Sequence, residues 1–105
     1  MVKDDDLGTI KFSDESIIIC AVDAIARTLG AHTIGPSLKG IKVSQENNAL
    51  KLDVDINIEF GYKIPEVAWN VQENIKDEIM EITGLKVNSV EIRVKGVYKN
   101  TISEE

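Results

Sequence analysis

The chain has 105 residues, a net charge of −6, and 43% apolar but only 5% aromatic residues. This length is typical of one domain that buries an aliphatic core without disulfides or metal ions. The acidic charge disfavours nucleic acids and anionic membrane surfaces as direct partners. The single cysteine excludes an intramolecular disulfide, and the acidic first six residues lack the apolar segment of a signal peptide. We therefore expect a soluble, cytoplasmic protein without direct membrane insertion.

The polar ends of the chain frame one predicted domain. We expect residues 1–6 to form a disordered acidic tail, residues 7–100 a single α+β domain, and residues 101–105 a C-terminal tail. The domain is predicted to begin with a short strand at Gly8–Phe12.

The first predicted helix starts at Ser13, a favourable N-cap, and runs to about Leu29. Small residues at Ala21, Ala24 and Thr28 would let a neighbouring element approach one flank closely. Cys20 falls on the outer side, where a partly exposed thiol is expected, and a redox role lacks a resolving cysteine. The stripe predicted to face the core consists of Ile18, Val22, Ile25 and Leu29.

The middle of the chain is predicted to form a loop and a hairpin. Ala31–Gly40 reads as a loop, Ile41–Glu46 as a strand, and Asn47-Asn48 as a two-residue turn. The next strand alternates apolar and polar residues, which indicates one buried and one solvated face. Its apolar positions are Leu50, Leu52, Val54, Ile56, Ile58 and Phe60.

A second amphipathic helix and a last strand complete the domain. The helix is predicted from Pro65 to about Thr83, with Gly84 ending it. Its core stripe consists of Val67, Ala68, Val71, Ile75, Ile79 and Ile82, with Ile64 in the same phase. The last strand, about Lys86–Tyr98, places Val90, Ile92, Val94 and Tyr98 opposite Glu91, Arg93 and Lys95.

The order β-α-β-β-α-β favours a two-layer α+β sandwich, in which one sheet carries both helices on a single face. A ferredoxin-like strand order is the first expectation, although the sequence does not fix the order.

No catalytic, cofactor or metal site is predicted. His32 is the only histidine, and no serine or cysteine has the context of an activated nucleophile. Asp53, Asp55 and Glu59 project from one face of an extended strand with about 7 Å between alternate positions, so their carboxylates do not converge on a cation. We expect them to pair with basic residues across the sheet instead.

Two binding classes are also disfavoured. The glycines around Lys39 match neither phosphate-binding fingerprint, because their loop follows a helix. The exposed sheet positions lack the stacking aromatics of an RNA-recognition module.

Trp69 is the side chain that suggests a binding surface. It points about 130° away from the centre of the helix stripe. Met80 lies three turns later on the same side, with Lys76 between them. Two interpretations stay open: Trp69 folds over the sheet edge or the first helix, or it joins Met80 in a surface for a protein partner. The candidate interface therefore comprises Trp69, Lys76 and Met80.

Six segments form a set of motifs. They are Gly8-Thr9-Ile10, Lys39-Gly40-Ile41-Lys42-Val43, the alternating strand, Gly61-Tyr62-Lys63-Ile64-Pro65-Glu66-Val67-Ala68, Thr83-Gly84-Leu85-Lys86-Val87 and Val90-Glu91-Ile92-Arg93-Val94. Together they resemble the alkaline-shock protein family of Gram-positive bacteria, from about Gly8 to Tyr98. The resemblance implies a role in envelope stress, no catalytic residues, and, as for some members, attachment to the cytoplasmic side of the membrane by a membrane-anchored partner. The 31–40 loop departs from the family pattern.

The leading functional hypothesis is a non-catalytic envelope or alkaline stress response protein. It would act as an interaction or scaffold module through homo-oligomerisation or a membrane-anchored protein partner. The alternative is a small-molecule-sensing regulatory module, although Phe12-Ser13-Asp14 is not the glycine-rich turn that such modules often use. An enzyme ranks third.

Overall fold

The computed structural model describes residues 12–35, 39–46 and 49–99. Its elements in chain order are α1 (Asp14–Ala26), β1 (Ala31–Thr33), β2 (Ile41–Glu46), β3 (Ala49–Glu59), α2 (Ile64–Thr83) and β4 (Lys86–Tyr98). Apart from Phe12, the predicted strand at 8–12 lies outside the described residues, as do the turn at 47–48 and both tails.

The sheet is built around β3. β4 runs parallel to β3 along its whole length. On the other side, β2 and then β1 pair antiparallel with successive parts of β3. The predicted fold class is confirmed, because both helices cover one face of a single sheet. The structure also gives the strand order: β4 lies directly beside β3, whereas a ferredoxin-like order would place another strand between them.

The alternation along β3 produces the two faces that the sequence predicted. Leu50, Leu52, Val54, Ile56 and Ile58 are buried beneath the helices, and the polar residues between them lie on the open face. Phe60 was expected to continue the buried set but is exposed, because β3 ends at Glu59 and the chain turns there.

The start of α1 is confirmed, its predicted end is wrong, and its predicted core stripe is confirmed in part. Ile25 is buried, and Ile18 and Val22 are half-buried against the core. Ser13 Oγ accepts a hydrogen bond from the Ser16 amide at 3.1 Å, which caps the helix. The helix ends at Ala26, and Leu29 is 78% exposed in the following turn. The buried residues are Ile17, Cys20, Ala21, Ala24 and Ile25.

Packing against α2 explains the difference from the predicted stripe. α1 contacts both the sheet and α2, so its small flank turns inward where two helices approach closely. Cys20 is consequently buried, and its expected position on the outer side was wrong.

The bounds of α2 are confirmed, and its stripe is confirmed in the middle. Val67, Val71, Ile75 and Ile79 are buried. Ala68 is half-buried. Ile64 and Ile82 have the predicted phase but stay exposed, because they lie in the terminal turns.

The loop predicted at Ala31–Gly40 is wrong at its start. Ala31–Thr33 forms β1, in which Ala31 pairs with Ile58 and Thr33 with Ile56. Three residues carry too little periodicity to reveal a strand whose hydrogen bonds come from a distant segment.

The predicted bounds of β4 are confirmed, but a bulge reverses its faces near the end. The register passes from Ile56–Val94 to Asn57–Gly96 and leaves Lys95 without an opposite residue. Tyr98, which was expected on the buried face, therefore pairs with Glu59 on the open face.

Candidate functional site

A groove runs between α2 and the outer side of β4. It has a volume of about 570 Å³ and is lined by Lys51, Pro65, Ala68, Trp69, Gln72, Ser89, Val90, Glu91 and Ile92. Trp69 stands at this groove with 60% of its surface exposed. It therefore borders the edge of the sheet without entering the core.

Gln72 identifies the open edge of β4. Its side-chain amide donates a hydrogen bond of 2.7 Å to the backbone oxygen of Val90. In the part of the chain that the structure describes, β4 pairs only with β3, so this oxygen points away from the sheet. Beyond the bulge, the Tyr98 oxygen instead accepts from the Phe60 amide at 2.7 Å, toward β3. Both bonds indicate that Val90, Ile92 and Val94 present their backbone groups to the outer edge.

The candidate interface lies on the outer face of α2. Met80 is 49% exposed and Lys76 is half-buried, with its Nζ 4.0 Å from Glu73 Oε2. Trp69 and Met80 share this face but lie about 16 Å apart along the helix axis. The structure therefore places the three residues on one face of α2, where Lys76 separates the two exposed apolar side chains.

A polar cluster between α1 and α2 was missed from the sequence. The guanidinium of Arg27 donates a hydrogen bond to Oε1 of Glu78, a carboxylate that is only 5% exposed. Nearby, Asn74 Nδ2 donates to Thr28 Oγ1 at 2.8 Å, and Thr28 Oγ1 donates to the Ala24 oxygen at 2.8 Å. Helical spacing could have revealed Glu78, because this residue falls on the same face of α2 as the core stripe.

Burial determines the titration of this cluster. It raises the pKa of Glu78, a hydrogen bond with Asp23 raises it further, and Arg27 opposes the shift. Burial likewise raises the pKa of Cys20, with Glu78 and Asp23 adding to the effect. A thiol with a raised pKa is a poor nucleophile, so the geometry gives Cys20 a packing role.

The open face of the sheet carries ion pairs. Arg93 Nε donates to Asp55 Oδ1 at 2.9 Å, which is the cross-strand pairing expected from the sequence. His32 Nε2 lies 3.2 Å from Glu59 Oε1, and its ring centroid lies 4.9 Å from that of Tyr98. Across residues 12–35, 39–46 and 49–99, no three histidine, cysteine or acidic side chains are grouped to hold a metal ion. Within the same ranges, neither helix has the length and hydropathy needed to cross a membrane.

Comparison with known proteins identifies the family. Residues 2–99 match the Asp23 family, which is described as having a cell envelope-related function. The chain belongs to the Asp23 family. The family name is unrelated to residue 23 of this chain, and the match confirms the alkaline-shock resemblance.

Relatives of this Asp23-family chain occur in Bacillus subtilis (strain 168). The uncharacterized protein YqhY is 30% identical over 117 residues, covering 98% of this chain and 87% of YqhY. The uncharacterized protein YloU is 42% identical over 59 residues, covering 56% of this chain and 49% of YloU.

Among solved structures, two zinc forms of MamM CTD resemble this Asp23-family chain. One has a TM-score of 0.55 at 11% identity, covering 78% of this chain and 84% of the other. The second has a TM-score of 0.53 at 13% identity, covering 86% and 89%. At these identities the likeness shows the fold alone.

Proposed function

We propose that this Asp23-family protein is a non-catalytic envelope or alkaline stress response protein. It acts as an interaction module that binds a membrane-anchored protein partner through the outer face of α2. The observation that carries this proposal is the 60% exposure of Trp69 in a chain whose family has a cell envelope-related function.

The chemistry of the α2 face suits a protein partner. Tryptophan and methionine supply large apolar contact area, and both are enriched in protein interfaces. Lys76 between them can pair with an acidic group of the partner. The net charge of −6 favours reaching the membrane through a protein, because anionic lipid repels an acidic surface. The protein is then peripheral at the inner face of the membrane, held there by its partner.

The test is capture of a membrane protein by the full chain. The tagged chain is incubated with detergent-solubilised membranes, and captured proteins that contain transmembrane segments are identified by mass spectrometry. Trp69→Ala and Met80→Asp should each reduce capture of the same membrane protein at least tenfold, since buried tryptophans dominate interface energies.

Ile19→Ala is the matched control, because Ile19 is 57% exposed on α1. It should leave capture unchanged, and all three variants should melt close to wild type. If the Trp69 and Met80 variants capture the membrane protein as well as wild type does, the α2 face is not the docking surface. If they melt far below wild type, Trp69 and Met80 serve the fold instead.

A further inference from the structure

The outer edge of β4 can pair with another strand. Within the described ranges, its 13 residues have a strand partner only on the β3 side. Three alternate positions, Val90, Ile92 and Val94, point their backbone groups outward, and among the described residues only the Val90 oxygen has a partner there, the side chain of Gln72. Edges of this kind recruit another strand unless they are blocked by proline, a covering segment, inward charges or bulges. The two bulges of β4, at Asn88 and Lys95, lie outside the Val90–Val94 stretch.

The start of α1 lies near the opposite edge of the sheet, beside β2. The backbone oxygen of Phe12 accepts a hydrogen bond from Gln45 Nε2 of β2 at 3.4 Å. β2 and β4 flank β3 on opposite sides, so the chain reaches α1 at the edge remote from β4.

The charges along β4 are arranged to match those of a second β4. If two β4 strands run antiparallel about a two-fold axis at Ile92, Ile92 faces its own copy and Val90 faces Val94. All three then form hydrogen-bonded pairs, because their backbone groups point outward. In the same register, Glu91 of each copy lies opposite Arg93 of the other, on the open face. Opposite charges at such positions stabilise strand pairing.

The helix layer leaves space for this pairing. Ile92 and Val94 are only half-buried, so α2 covers the inner side of β4 and leaves its outer side open. In the stated register, Ile92 of a second β4 would cover the exposed part of Ile92, and its Val90 would lie beside Val94. Gln72 then releases the Val90 oxygen to a backbone amide of the second copy.

We infer that two copies of this chain associate by antiparallel pairing of their β4 edges, centred on Ile92, into one continuous sheet with reciprocal Glu91–Arg93 ion pairs. This inference goes beyond the proposed function by adding self-association, and it uses a surface separate from Met80. It stands if docking of a membrane partner on α2 fails.

The experiment is sedimentation equilibrium of the full chain from low micromolar to millimolar concentration. Wild type should show a monomer–dimer equilibrium. Trp69, the only tryptophan of the chain, should shift its fluorescence to the blue as dimer forms, because the second strand covers its groove. Glu91→Arg places two arginines opposite each other twice, so the dimer Kd should rise about tenfold or more.

One control exchanges the charges of Glu91 and Arg93, and another changes a charge far from β4. The triple variant Asp55→Asn/Glu91→Arg/Arg93→Glu restores opposite charges across the two-fold axis without setting a carboxylate against Asp55, and it should return the Kd toward wild type. Glu15→Arg makes the same change in charge on exposed α1 and should leave the Kd unchanged, as should Met80→Asp. Ile92→Pro removes the central edge amides while sparing the β3 pairing, and should abolish the dimer without lowering the melting temperature by much.

A wild-type chain that stays monomeric at every concentration overturns the inference. So does a dimer that Glu91→Arg and Ile92→Pro leave intact. Capture of the membrane protein by a monomeric β4 variant would show that α2 docking holds without self-pairing.

Discussion

At the scale of single residues, Glu78 and Gly30 each make a contact that the residues next to them in the sequence do not predict. Glu78 is a carboxylate within an apolar helix stripe, and its position toward α1 brings it to Arg27 and Asp23. Gly30 has a φ of +85° and lies beneath the ring of Tyr62. Glu78 and Gly30 each depend on a partner more than 30 positions away in the sequence.

The pH dependence of stability should carry the signature of Glu78. Because burial raises its pKa in the folded state, the folded protein binds this proton more readily than the unfolded chain does. The free energy of unfolding should therefore fall as pH rises from the ordinary glutamate pKa, about 4.3, through the raised value. Urea titrations at a series of pH values measure this slope.

Two variants separate this contribution from those of other carboxylates. Glu78→Gln should flatten the slope, with a change of about 1 kcal/mol or less at neutral pH. Arg27→Ala should steepen it, because Arg27 lowers the pKa of Glu78. Identical slopes in wild type and Glu78→Gln would show that Glu78 titrates alike in both states.

Replacing Gly30 with alanine should reduce stability more than replacing a glycine of similar backbone conformation. A Cβ at Gly30 would lie 2.7 Å from Cγ of Tyr62, whereas a Cβ at Gly84, where φ is +77°, meets no atom within 4 Å. Gly84→Ala should destabilise by about 1–2 kcal/mol from backbone strain alone. In thermal denaturation, Gly30→Ala should lower stability more than Gly84→Ala does. Adding Tyr62→Ala to Gly30→Ala should remove much of this additional loss. Equal losses at the two glycines would mean that the tyrosine ring moves away freely.

At the scale of elements, α2 carries both a buried face and the exposed face proposed as an interface. Its inner stripe packs on the sheet, while its outer face carries Trp69 and Met80. Its helical phase was predictable because 20 residues give more than five turns of apolar spacing. The phase of α1 was only partly predictable: Ile25 is buried as expected, but the small residues that turn inward do so because α2 packs against them.

Truncations along α2 should separate its inner and outer faces. Ile75→Ala or Ile79→Ala should lower the free energy of unfolding by about 2–5 kcal/mol, because both side chains are fully buried. Glu73→Ala, on the outer side, should change it by about 0.5 kcal/mol or less. Denaturant titrations giving comparable losses at Ile75 and Glu73 would contradict the burial of this stripe.

At the scale of the whole molecule, the sequence by itself determined the fold class, α2, β3 and the bounds of β4. Amphipathic period and helix-ending signals act locally, so they can be read residue by residue. The strongest of them, the alternation through β3, also showed that one sheet face is solvated.

Only the tertiary structure decided which strands are neighbours and which side chains meet. The short β1 exists because β3 offers it hydrogen bonds, and the bulge at Lys95 moves Tyr98 to the face of His32. The candidate surfaces divide in the same way into those that the sequence predicted and those that only the structure showed. Helical spacing predicted that Trp69 and Met80 share one side of α2, but the edge of β4 and the burial of Glu78 depend on packing between distant segments. Such contacts depend on the closure of long loops, and local sequence patterns do not encode their outcome.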